Sequence, residues 1–200
     1  MSRRSFLFSM FLLVITLFSV SPSYAQVAEP SSGVSFPAQV NIGGTNATIT
    51  GVGLRKKAIF KVYAIASYMD SSKINKAVDP YTQLLTDGPS KQITMHFVRD
   101  VEAASIRGAF EDSLKNNIPN YATSPAKKNA DAFLAAQVDM KTNQEIVLHW
   151  TQGGKIDLLV NGQSKASFTD PVLARGIWSI WLGASPISGD IKTGLVTKMK

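Results

Sequence analysis

Between Glu145 and Phe168 the chain offers three strand-length runs with almost no room between them: Glu145 to Trp150, Lys155 to Val160, and Gln163 to Phe168. "TQGG" joins the first pair and Asn161-Gly162 the second. Asn-Gly is the strongest short-range hairpin signal, because both residues tolerate the positive φ of a tight primed turn. Parallel pairing would need a crossover of about a dozen residues or more, so these three strands must pair antiparallel. A second hairpin is predicted upstream, from Ala38 to Ile42, a "GGTN" turn, and Ala47 to Thr50. Gln92 to Val98 alternates Ile93, Met95 and Phe97 against Gln92, Thr94 and His96, the period of a strand with one face buried.

The helical signals fall between and after these runs. Asp79 as cap, Pro80 at the first position and Gly88 as the stop predict a short helix. Asp100 is placed to cap a helix from Val101 to about Asn116, with Glu102 in the first turn and Ile106, Ala109, Phe110 and Leu114 along one stripe. Ser124-Pro125 opens another, with Ala130, Phe133, Leu134 and Val138 on one side. Asp170-Pro171 starts a helix through Ile177, Trp178 and Trp181 to Leu182, stopped by Gly183, and Asp190 to Lys198 forms a last short one. Adjacent hairpins with helices grouped beside them imply α+β rather than alternating α/β.

The stretch "GVGLRKKAIFKVYAIASYMD", Gly51 to Asp70, sets a puzzle. Alternation puts Phe60, Val62, Ala64, Ala66 and Tyr68 on one face, read as core. Arg55, Lys57, Ile59, Lys61, Tyr63, Ile65 and Ser67 fall on the other. Along a straight strand Arg55 and Tyr63 would stand about 26 Å apart. They can serve one ligand only if the chain turns back around Lys56-Lys57.

The first residues carry an address. Arg3 and Arg4 precede the uninterrupted apolar run Phe6 to Val20, and Ser23 and Ala25 supply the small residues of a cleavage site, so residues 1–25 are read as a signal peptide cut after Ala25. The run is short for a retained anchor, and a periplasmic or secreted protein without an integral membrane segment is expected. Residues 26–35 are read as a disordered lead-in and 36–200 as one domain of sufficient length for a substantial core. The chain has no cysteine, so no disulfide staples it. Its formal charge of +7 is scattered, with the run Arg55-Lys56-Lys57 and the pair Lys127-Lys128 the only adjacent basic residues after the leader. That argues against a nucleic-acid partner.

Conventional catalytic motifs are missing. His96 and His149 are far apart with no metal-ligand spacing, so no metal is expected. "GQSKA" around Ser164 follows a hairpin turn where a nucleophile elbow needs a strand-to-helix turn. The glycines lack the pattern and the following helix of a dinucleotide loop, and no cofactor is expected.

Three stretches taken together, "GVGLR" with "FKVYAIASYMD", "VRDVEAASIRGAFEDSL" and "IWSIWLGASPISGDIK", resemble the chalcone isomerase superfamily, in particular its exported bacterial chalcone isomerase-like members. The resemblance implies an antiparallel sheet layered with helices around an apolar cleft. It also implies that Arg55 holds an anionic oxygen and that Tyr63 stands where the isomerases place a threonine and the fatty-acid binders a tyrosine. The tyrosine, lysine and asparagine that isomerases carry on the central helix become Ser105, Gly108 and Asp112, and the pair that shapes the pocket becomes Ile180 and Trp181. Arg55, Tyr63, Ser105, Asp112, Ile180 and Trp181 are therefore the candidate ligand-binding residues, with no catalytic set. The implied function is a non-catalytic binding protein for a small amphipathic carboxylate such as a fatty acid. An intramolecular lyase or isomerase acting on a phenolic or enone, and an interaction module whose cleft has become core, stay open. So do plainer roles: Arg55 paired with a surface acid, Arg99 with Asp100 or Glu102, and the tryptophans as packing.

Overall fold

The computed structural model describes residues 25–199. Residues 1–24, and with them nearly all of the expected leader, lie outside the described part. The chain then begins with a small ribbon in which β1 (Gln26–Ala28) pairs antiparallel with β2 (Ser35–Pro37). This corrects the expectation of a disordered lead-in. The ribbon closes because the Glu29 carboxylate accepts from the backbone N–H groups of Ser31 and Ser32 and from the Ser32 hydroxyl, and because Phe36 is buried beneath it.

The main sheet runs in chain order through β3 (Gln39–Ile42), β4 (Thr45–Lys57), β5 (Phe60–Asp70), β6 (Lys91–Phe97), β7 (Glu145–Thr151), β8 (Lys155–Val160) and β9 (Gln163–Thr169). All of its pairings are antiparallel. Asn161 (φ 50°) and Gly162 (φ 76°) take the left-handed turn that the sequence requires of them. Helix α1 (Pro80–Leu84) follows β5, α2 (Ala103–Asn117) and α3 (Lys127–Ala135) lie between β6 and β7, and α4 (Pro171–Leu182) and α5 (Gly189–Gly194) complete the chain. The fold is α+β, as the hairpin succession demands. Among the described residues no helix is long and apolar enough to cross a membrane.

Both faces of the sheet are covered. The larger core lies under α2, α3 and α4 and takes Tyr63, Ile65 and Met69 from β5, Ile93, Met95 and Phe97 from β6, and Trp178 and Trp181 from α4. The smaller one takes Ala64, Ala66 and Tyr68 from β5 and packs them against Phe36, Ile42 and Ile49. The face read as mixed is thus the main core, and the face read as core is the lesser one. Phe60, expected to be buried, is 56% exposed, because β4 and β5 run past the edge of the helical layer at that end.

Capping explains most helix starts. Asp79 accepts from Thr82 N–H, and Asp170 from both Val172 and Leu173. Helix α2 differs from expectation: Val101 exchanges backbone bonds with Met140 at 2.8 and 2.9 Å, so the helix cannot begin before Ala103. Asp139 then caps the Ala103 N–H, while Asp100 binds Thr142 and Lys141 instead. Helix α3 ends at Ala135, which leaves Val138 exposed rather than on its apolar side.

The glycine-rich approach to Arg55 has a packing reason. A Cβ on Gly51 would sit 2.1 Å from the Gly194 carbonyl oxygen and 2.6 Å from the Leu195 carbonyl carbon, so only glycine lets the end of α5 rest on β4. Thr50 seals the junction by donating its hydroxyl to the Leu195 carbonyl at 2.8 Å.

Candidate ligand-binding site

Strand β4 reverses at Ala58-Ile59, and this turn decides how Arg55 and Tyr63 relate. In the resulting ladder Arg55 is the direct cross-strand partner of Tyr63. Directly opposed residues project to the same face with Cβ atoms about 5 Å apart, so the two groups share one rung. The reversal required by the strand geometry is present, two residues later than expected.

Tyr63 is 6% exposed. Its ring lies 5.6 Å from that of Phe97 on β6, and its hydroxyl oxygen accepts from the Trp181 indole N–H at 3.0 Å. Burial pushes the phenol up to about 12, against the Trp181 hydrogen bond and the Arg55 charge, which both lower it. The phenol is therefore neutral at physiological pH, and among the described residues no acceptor takes its hydroxyl hydrogen. Half-buried Arg55 donates one guanidinium N–H to the Lys56 carbonyl at 2.6 Å. Among the described residues no carboxylate forms an ion pair with it. Side by side stand a guanidinium with no ion pair among the described residues and a phenol with a proton to donate.

Behind them the interior is aromatic. Trp181 meets Phe110 of α2 edge-on at 5.8 Å, Phe110 stacks with Phe133 at 5.8 Å, and Phe133 meets Phe168 at 6.4 Å. This row fills the space between sheet and helices, where the resemblance implies a cleft. Ile180 is fully buried beside Trp181.

The remaining candidates do not join the group. Ser105 and Asp112 lie on the exposed side of α2, because its apolar stripe of Ile106, Phe110 and Leu114 faces the core. Sequence reasoning missed Phe97, although the alternation of β6 had placed it on the buried face, and the Trp181 to Tyr63 hydrogen bond, which no local pattern announces. Arg99 makes no ion pair with Asp100 or Glu102; its guanidinium lies 5.0 Å over the Phe60 ring. Trp150 and Trp178 pack edge-on at 5.3 Å in the core.

A family model described as chalcone isomerase-like matches residues 28–197. The chain belongs to the chalcone isomerase-like family. Among solved structures, this family member is similar to the crystal structure of a fatty-acid binding protein of Arabidopsis thaliana, with a TM-score of 0.74 and 22% identity over 88% of this chain and 97% of that one. At that identity the likeness concerns the fold. Among curated protein sequences there is no significant match.

The chalcone isomerase-like domain also carries a groove of about 1060 Å³ between α1 and the α2 and α4 helices. Three charged groups of its rim are turned into the fold. Asp79 caps α1, and Lys192 donates to the Gly183 carbonyl at 2.7 Å. Asp87 accepts from Trp150 Nε1 and from the N–H groups of Gly153 and Gly154. Burial alone would raise the Asp87 carboxyl, but these hydrogen bonds prevail and hold it below its ordinary value. These three groups hold the structure together, whereas exposed Arg175 of α4 also lines the groove and makes no ion pair among the described residues; what the groove lacks, and the rung has, is a buried phenol beside the guanidinium.

Proposed function

We propose that the protein is an exported, non-catalytic binder of a small amphipathic acid, a fatty acid, with its carboxylate at Arg55 and Tyr63. The observation that carries this reading is the shared rung: a guanidinium that has no acid partner among the described residues, beside a buried neutral phenol whose proton has no acceptor among them. A carboxylate satisfies both, by charge-assisted hydrogen bonds from Arg55 and a single one from Tyr63. The acyl chain would enter along the aromatic row, with Trp181 moving off the Tyr63 hydroxyl to admit it. Each methylene buried contributes about 0.8 kcal/mol, which opposes the cost of displacing packed rings.

Support comes from the Arabidopsis relative, itself a fatty-acid binding protein, and from the absence, at Ser105, Gly108 and Asp112, of the side chains that isomerases use. Export rests on the leader read in residues 1–25, and amino-terminal sequencing of the mature protein should find Gln26 first. Isothermal titration with a saturated medium-chain acid tests the site. Binding should be measurable, and Arg55→Ala should weaken it by about 1.5 to 3 kcal/mol, the range for hydrogen bonds to a charged group. Equal affinity in the two proteins would remove the anchor of this reading.

A further inference from the structure

The β4–β5 turn leaves the body of the protein as an exposed tip. Every residue from Lys56 to Lys61 is exposed. Ile59 is 85% and Phe60 56% exposed, the highest values among the large exposed apolar side chains of the described residues. Neither belongs to either apolar core.

Around this pair stand five cations: Arg55, Lys56, Lys57, Lys61 and Arg99. Lys56 and Lys61 are direct cross-strand partners, and like charges in that position cost stability. Among the described residues none of the five forms an ion pair. The acids at this end of the sheet are committed elsewhere, Glu145 to His96 and Asp100 to Lys141. The fold therefore maintains a positive cluster without ion pairs among the described residues, Arg55 and Lys61 being held only by the Lys56 and Ser31 carbonyls, around two side chains that water disfavours. Its complement is a surface that is anionic outside and apolar just beneath. A phospholipid bilayer has that profile: lysines and arginines meet the anionic headgroups while apolar side chains enter the boundary with the acyl chains.

We infer that the β4–β5 tip docks the protein on a bilayer containing anionic phospholipid. Docking would bring the Arg55 and Tyr63 rung to the surface from which an amphipathic acid is drawn. It does not depend on what Arg55 holds.

The experiment contains no fatty acid, so it can fail while the ligand reading stands. Because the sequence has no cysteine, Ile59→Cys carries a polarity-sensitive fluorophore at the tip, and Gln152→Cys carries it at the opposite end of the sheet. Mature protein beginning at Gln26 is titrated with vesicles of phosphatidylglycerol and phosphatidylcholine in equal parts, and with phosphatidylcholine alone. The tip label should shift to the blue with the anionic vesicles only, the distal label should not shift, and high salt should suppress the effect. Adding Lys56→Gln and Lys57→Gln should weaken vesicle partition about 25-fold, at roughly fivefold per cation removed, and Phe60→Ser should reduce the shift. No shift at the tip, or equal shifts at both positions, overturns the proposal. A blue shift that grows with protein concentration in the absence of vesicles assigns the tip to a second copy of the chain and also overturns it.

Discussion

Lys91 has no accessible surface at all, yet it carries an ammonium. Its Nζ donates to the Thr86 and Pro89 carbonyls at 2.6 and 3.1 Å and lies 3.9 Å from the centre of the Trp150 ring. Burial pushes its pKa from 10.5 down to about 8, and the Asp87 charge offsets only part of that. Between those two values the unfolded chain retains a proton that the folded one has released, so stability rises with pH from about 8 toward 10. Tyr63 acts in the opposite sense at higher pH: the unfolded phenol ionises near 10 while the folded one holds its proton to about 12, and stability then falls. Urea unfolding at pH 7.5 and 9.5 should show a gain on the order of 1 to 2 kcal/mol. Lys91→Met should flatten that rise; an equal gain in the variant would exclude Lys91 as its source. At the rung itself, Tyr63→Phe should cost on the order of 1 kcal/mol of fatty-acid affinity, since one neutral donor is lost and the ring stays. Arg55→Ala should leave the unliganded melting temperature nearly unchanged, because among the described residues Arg55 has no acid partner to strand. Arg55 and Tyr63 were legible in the sequence as residue types. Their being partners depends on where a two-residue turn falls, and Ala58, with φ 53°, is not a residue that announces one.

Helix α2 and the contact between α5 and β4 show how glycine can mean opposite things. Gly108 is exposed in mid-helix, and a Cβ added there would meet nothing within 4 Å, whereas a Cβ at Gly51 collides with the backbone of Gly194 and Leu195. Gly108→Ala should therefore stabilise the protein by up to about 1 kcal/mol, the difference in helix propensity. Gly51→Ala should destabilise it by about 2 kcal/mol or more, because the obstacle is backbone and cannot rotate away. Thermal melts of the two variants should move in opposite directions, and parallel movement would refute the packing argument. The sequence pattern locates Gly108 on a polar face, where Ser105 and Asp112 also fall at helical spacing. That same 3.6-residue period sets Ile106, Phe110 and Leu114 opposite, so the exclusion of Ser105 and Asp112 from the core was already written in the stripe. The start of α2 was not, since Val101 is held by Met140, and no local propensity foretells a bridge across 39 residues (from 101 to 140).

The molecule as a whole is an open sheet whose edges are β3 and β9. Strands β5 to β7 are paired on both sides, so their amides should exchange with solvent far more slowly than those of β9, whose pattern is mostly exposed. Hydrogen exchange resolved by strand checks this, and uniform protection across the sheet would contradict it. Hairpin signals made the β3–β4 and β7–β8–β9 pairings readable, whereas β5, β6 and β7 are joined through helices, so no turn signal gave their adjacency. The aromatic row was less readable: Tyr63 and Trp181 meet across 118 positions of sequence, and only the completed fold brings them together.

The junction of Thr50 with Leu195 spans 145 positions, and the Lys198 N–H also returns to the Thr50 carbonyl. The meander can therefore form progressively as the polypeptide is made, but β4 has no cover over Gly51 and Gly53 until residues 191–199 have left the ribosome. A chain ending at Ser188 should melt without a cooperative transition or well below the complete protein. Until its last segment arrives the nascent polypeptide remains unlatched, a delay that suits the proposed passage through a translocation channel before folding.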